Sequence, residues 1–142
     1  MKSAVDTNMI SAIWTAQPNH VEAKTLLGES LKRGRLVISG IVYAELLAHP
    51  LMTSRGLDAF LEATGVELEH NLNKTVWQEA GIRFRNYAER RRRARQEWPR
   101  RLMADFVIGA HALLLADRLI TFNGADFRRD FPELLIAPEP LQ

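Results

Sequence analysis

The sequence contains no cysteine. That absence excludes a disulfide framework, a thiolate metal site and a cysteine nucleophile together, and it is compatible with a reducing cytosol. Long apolar runs are missing too. No stretch approaches the roughly 20 residues a helix needs to cross a bilayer, so no membrane association is expected. The N-terminus, "MKSAVDTNMISAIW", places Asp6 inside its only apolar stretch and lacks the hydrophobic centre of a signal peptide. A soluble, cytoplasmic protein is therefore expected. No two histidines stand four residues apart, and with no thiolate there is no evident zinc ligand set. Internal repeats of solenoid period and low-complexity linkers are also lacking.

What is present is an ordinary globular composition, 46% hydrophobic and 25% charged over 142 residues. A chain of this length buries a real core without metal or disulfide staples, and one domain over residues 1–142 is expected. The charge is unevenly placed. Residues 90–101 hold seven arginines and one glutamate, a net of +6 in a chain whose total is +2, which leaves −4 for the rest. An acidic body with one basic segment points to a polyanionic partner, or to an acidic protein segment.

The apolar pattern alternates between strands and helices. Residues 2–5 read as a strand that ends at an Asp-Thr-Asn turn, and Met9, Ile10, Ile13 and Trp14 then recur at helical spacing. Residues 19–33 predict a helix with Val21, Leu26, Leu27 and Leu31 on one face, ended by Gly34. "RLVISGIVYAELLAHP" repeats the grammar: a strand over 36–38, Ser39 as N-cap, and a helix that carries Glu45 and stops before Pro50. A short helix over 55–64, a possible edge strand in "VELEH" and a long basic helix from Thr75 to about Arg95 follow. Asp105 opens an apolar helix running to Ala116. "RLITFNGADF" reads as a strand ending in a polar turn, and 134–137 as a last strand. Short βα units of this kind argue for an α/β domain with a mainly parallel sheet. In such sheets the ligand crevice lies at the carboxyl ends of the strands.

At those ends stand Asp6, Asn123 and Asp126, while Glu45 and Asp105 lie on the early turns of helices pointing to the same region. A cluster of carboxylates repels itself and raises its own pKa values. Mg²⁺ or Mn²⁺ resolves that conflict, because both favour carboxylate and water oxygens and need few protein ligands. Each acid also has a plain structural use: Asp105 as a first-turn acid on the helix dipole, and Asp6 and Asp126 as turn residues. Glu45 is hardest to explain that way, since Ile41, Val42, Ala44, Leu46 and Leu47 surround it in sequence. Thr7 and Asn8 suit orientation of Asp6, although a capped turn accounts for them equally.

"AVDTNMIS", "ISGIVYAELL", "DFVIGAHAL" and "LITFNGADF", in this order and spacing, resemble PIN-domain proteins, and among them the VapC-type toxins of bacterial toxin–antitoxin pairs. The likeness runs from about residue 3 to 137. It implies an α/β/α sandwich with a central, mainly parallel sheet flanked by helices. It also implies a Mg²⁺- or Mn²⁺-dependent endoribonuclease, often acting on structured RNA such as transfer RNA and leaving a 5′-phosphate and a 3′-hydroxyl. A small antitoxin as partner and a homodimer are implied as well. Carried over residue by residue, the metal-holding and catalytic acids fall on Asp6, Glu45 and Asp105. The fourth acidic position varies in the family; Asp126 is the favoured match, with Asn123 and Thr121 as polar support.

Two other readings fit the residues less well. A PIN-like module that only binds RNA or protein would gain nothing from carboxylates facing phosphate. A phosphotransfer receiver domain also gathers acids around Mg²⁺, but here no lysine follows the last strand and the first strand offers one acid where that design needs two. His111, between Ala110 and Ala112, reads as a satisfied core or subunit-contact histidine rather than a catalytic one. Trp14 and Trp77 occupy apolar helical positions and are expected in the core. Trp98, in "QEWPRR", is the expected exposed base-stacking platform. With it, Arg100 and Arg101 are expected to bind RNA at the mouth of the site, and the arginines from 90 to 95 are expected to be partly solvated.

Overall fold

The computed structural model describes residues 1–96 and 101–140; Trp98 and Arg100, singled out above, lie outside the described residues. Five short strands form one sheet: β1 (Lys2–Val5), β2 (Arg35–Ser39), β3 (Val66–Glu69), β4 (Arg118–Ile120) and β5 (Ile136–Ala137). Their order is β3-β2-β1-β4-β5 and every pairing is parallel. Ala4 of β1 pairs with Val37 on one side and Leu119 on the other. Central parallel strands are covered on both faces, which is why these segments read as continuous apolar runs instead of alternating ones.

Seven helices flank the sheet among the described residues: α1 (Thr7–Trp14), α2 (His20–Arg33), α3 (Gly40–Leu47), α4 (Ser54–Thr64), α5 (Lys74–Arg93), α6 (Met103–Leu115) and α7 (Gly124–Asp130). From β1 the chain steps outward through β2 to β3, then returns across the sheet to β4. Right-handed crossovers place connections of opposite direction on opposite faces. The reversal falls between β1 and β4, so a crevice opens at the carboxyl ends of these two neighbours. The expected α/β/α sandwich is the one observed.

Helix α6 is the central helix. Its residues from Phe106 through Ala112 are all buried, so it is apolar all round and packed on every side. Gly109 is required there by close approach: a Cβ at this position would stand 2.3 Å from the Phe131 ring. The same helix buries His111, whose Nε2 lies 2.8 Å from Glu69 Oε1, while Glu69 Oε2 accepts from Lys2 Nζ at 2.6 Å. Burial lowers the His111 pKa, with the Glu69 bond working against it, so the ring is neutral at pH 7 and donates to the carboxylate. His111 is thus a satisfied core residue.

Several sequence expectations need correction. Trp77 is 52% exposed, because α5 buries Val76, Ala80 and Tyr87, and Trp77 sits about one residue's rotation off that stripe. Trp14 is half-buried, packed on the core and edge-on to His49. On α2 the buried positions are Ala23, Leu27 and Ser30, which leaves Val21 and Leu31 exposed. Ser39 does stand at the N-cap of α3, but its hydroxyl makes no capping bond. Asp105 is the third residue of α6, not the first, and the last strand shortens to Ile136–Ala137. Among the described residues no helix is long and apolar enough to cross a membrane.

Candidate active site

Asp6 is the residue that β1 delivers to the crevice. Its backbone N–H continues the sheet by donating to Ile120 O at 3.0 Å, so it sits directly beside the end of β4. It is also the N-cap of α1, with Oδ1 accepting from the Thr7 N–H at 2.7 Å. Oδ2 accepts from the Thr121 hydroxyl, again at 2.7 Å. Thr121 follows β4, and its oxygen also accepts from the Asn123 N–H at 2.9 Å and from Asn8 Nδ2 at 3.4 Å. Asn8 Oδ1 accepts from the Phe122 N–H at 3.3 Å, which ties α1 to the turn after β4. Each Asp6 oxygen uses one lone pair on these bonds and keeps another for a cation or water.

Glu45 enters from α3, where its Oε1 accepts from the Thr7 hydroxyl at 2.7 Å. That contact explains an acid within so apolar a helix: the carboxylate leaves the core face and is held at the crevice. Asp105 enters from the first turn of α6, with Oδ2 accepting from the Leu102 N–H at 3.2 Å. Asp6, Glu45 and Asp105 line one cavity of about 310 Å³ with Thr7, Asn8, Ser11, Gln17 and Asn123. Asp126 does not line it. The side chain brought to the site from the turn after β4 is Asn123, and Asp126 stands on an adjoining pocket.

Burial is the main reason the Asp6 carboxyl is pushed up to about 6. The bonds from Thr121 and Thr7 pull it down, and the charges of Asp105 and Glu45 push it further up. The lining is rich in oxygen ligands and, among the described residues, carries three acids and no cation, which suits Mg²⁺ or Mn²⁺. Among the described residues no three Asp, Glu or His side chains are gathered closely enough to form a ready-made cage. An open pocket holding one or two carboxylates at a time still fits Mg²⁺, which keeps several of its waters.

Arg101 is where expectation and geometry part most clearly. Its side chain is only 11% exposed, and its guanidinium pairs with Asp130, whose carboxylate is 2% exposed and also pairs with Arg90. The guanidinium stacks over Phe127 at 4.6 Å and Phe106 at 5.1 Å, and lies 3.8 Å from Asp105. Arg101 therefore forms the wall beside Asp105, with its charge already committed to a buried acid. Asp130 was missed from sequence. The signal that could have found it is its spacing with Phe127 and Phe131, which puts it on the buried face of α7. Ser11, one turn beyond Thr7 on α1, was missed in the same way.

A doubly wound parallel sheet with acids converging on its reversal point defines a class of α/β proteins that work at an oxygen-lined crevice. The sequence pattern of the PIN domain matches residues 4–130, and the chain belongs to the PIN domain family. Solved structures agree in fold. VapBC2 from Rickettsia felis, bound to a DNA fragment from their promoter, matches at 22% identity with a TM-score of 0.67, over 96% of this chain and 97% of that one. VapBC-1 from nontypeable Haemophilus influenzae matches at 24% identity and 0.64, over 96% of each chain. A toxin–antitoxin complex from Klebsiella pneumoniae matches at 18% and 0.65, over 98% and 99%. No curated protein sequence matches at a comparable level.

Proposed function

We propose that this chain is a metal-dependent endoribonuclease of the PIN class and the toxin of a toxin–antitoxin pair. One observation carries the reading: Asp6, Glu45 and Asp105 share a cavity at the sheet's reversal point, and the pKa of the most buried of them is raised in part by the charges of the other two. Asp6 and Asp105 would hold a Mg²⁺ or Mn²⁺ ion, with Glu45 and Asn123 in reach of its waters. When bound, the ion acidifies a water and offsets charge on the phosphoryl oxygens. Asp6 supplies a carboxylate oriented by two hydrogen bonds, so little reorganisation accompanies binding. Glu45, tethered through Thr7, is the group placed to orient an attacking water. Asn123 in place of a fourth acid leaves the pocket less negative, which eases entry of a phosphodiester.

The solved neighbours are VapBC or toxin–antitoxin complexes, and that supports an antitoxin as this chain's partner. The test is cleavage of RNA in Mg²⁺ or Mn²⁺, with EDTA as control, by the wild type and by Asp6→Ala and Asp105→Ala. Each substitution is expected to reduce the metal-dependent rate at least about 100-fold, as loss of a principal charge-stabilising group does. A wild type that binds RNA but never cleaves it would reduce the chain to a binding module. Undiminished cleavage by either variant would show that the site is misassigned.

A further inference from the structure

Beside the acidic cavity lies a second, arginine-lined pocket of about 490 Å³, bounded by Tyr87, Arg91, Gln96, Arg101, Asp126 and Arg129. The cations in and around it differ in how they are employed. Arg101 and Arg90 share the buried Asp130, and Arg92 pairs with Glu89. Arg91 and Arg129 have no carboxylate partner among the described residues, and the Nε of Arg91 is buried without a hydrogen-bond partner. With Nε closed to solvent, Arg91 meets an anion through the face it turns to the pocket, where a charge-assisted hydrogen bond to a guanidinium is strong. The Arg91 guanidinium carbon stands 5.9 Å from the Tyr87 ring centroid, which limits the places the group can occupy. One carboxylate, Asp126, also faces the pocket. Set against Asp126 and Asp130, the guanidinium groups of Arg90, Arg91, Arg101 and Arg129 leave two positive charges in excess. The two pockets meet at the 3.8 Å approach of Arg101 to Asp105.

We infer that this pocket binds a backbone phosphate of the RNA strand next to the one presented at the acidic cavity, with Arg91 and Arg129 as its donors. The inference rests on the nuclease reading only for what lies next door; the phosphate site stands on its own geometry. Arg101 contributes as the rigid partition between the pockets, held by Asp130, and not as a free cation. Nucleic acid is favoured over an acidic peptide because the adjoining cavity is itself acidic, and a polyanion is accommodated there only where a metal meets its phosphates.

The experiment measures binding of a fluorescein-labelled single-stranded RNA with cleavage-resistant phosphorothioate linkages by anisotropy, at constant Mg²⁺, across a salt series. The proteins are wild type, Arg91→Gln/Arg129→Gln and Arg92→Gln. Arg92 is the control, with the same charge on the same helix but no place in the pocket. Two lost phosphate contacts should flatten the slope of log K against log salt by about 1.4, and Arg92→Gln should flatten it by far less. An unchanged slope in the double variant overturns the inference, as does equal flattening by Arg92→Gln. Unchanged RNA binding with weakened binding of a poly-glutamate peptide would make the pocket a protein-docking site and overturn it too. A flattened slope in a protein that never cleaves RNA would fail the nuclease reading and leave the phosphate site standing.

Discussion

Asp6 carries the conflict on which the site is built. In the unfolded chain its carboxyl titrates at the ordinary value of 3.8, and in the folded protein at about 6, chiefly through burial. Between those values the folded chain binds more protons than the unfolded one. The stability contribution of the protonated form is complete below 3.8 and is lost as pH rises through about 6. Metal-free protein should therefore be more stable at pH 5 than at pH 7 with respect to this group, by about 1.3 kcal/mol. Asp6→Asn removes the charge while keeping an acceptor for Thr121. In EDTA at pH 7 it should unfold at higher urea than wild type, by roughly 1–3 kcal/mol. A variant less stable than wild type under those conditions would mean the Asp6 charge is not strained.

At the scale of elements, α6 is the part of the fold least tolerant of change. It presents Asp105 to the crevice from its first turn and buries every residue from Phe106 to Ala112 beneath. The contact of Gly109 with Phe131 sets how closely the segment after α7 packs on α6. Gly109→Ala gains helix propensity but drives a methyl into a ring that is itself fully buried. Overpacking should win, at a net cost of about 1–3 kcal/mol, read as a lower urea midpoint with an unchanged m-value. The arginine-rich end of α5 divides by the same logic of position. Arg90 turns toward Asp130, Arg92 toward Glu89, and Arg91 toward the second pocket. Consecutive arginines on a helix point about 100° apart, so a single charge run serves three purposes.

For the whole molecule the decisive feature is the reversal of strand order between β1 and β4. It leaves the acids facing one crevice that no cationic side chain lines among the described residues, so the folded state should bind divalent cations where the unfolded chain does not. Mn²⁺ at a hundred times its dissociation constant should stabilise wild type by about 2.7 kcal/mol, a rise in Tm on the order of 5–10 °C. Asp6→Ala should show little of that shift by differential scanning fluorimetry. An equal shift in the variant would move the cation elsewhere on the molecule.

Much of this was legible in the sequence because local patterns determine local structure. Apolar period and turn residues placed all five strands and six of the seven helices within a few residues; α7 (Gly124–Asp130) falls in the segment that reads as a polar turn after β4. Parallel βα order put the ends of strands at the crevice, and with them Asp6, Glu45 and Asp105. Exposure of one helix face over another was less legible: Trp77 and Val21 are apolar, but the stripe that packs is set by the partner surface and not by the helix alone. The choice of Asn123 over Asp126 could not be read either. The two stand three residues apart at the start of α7, and only the path of the turn after β4 decides which side chain reaches the cavity. The same is true of Arg101, which the linear sequence shows as one more cation near Asp105. Its role depends on Asp130, 29 residues away in the chain, and such pairings exist only once the core has brought the segments together.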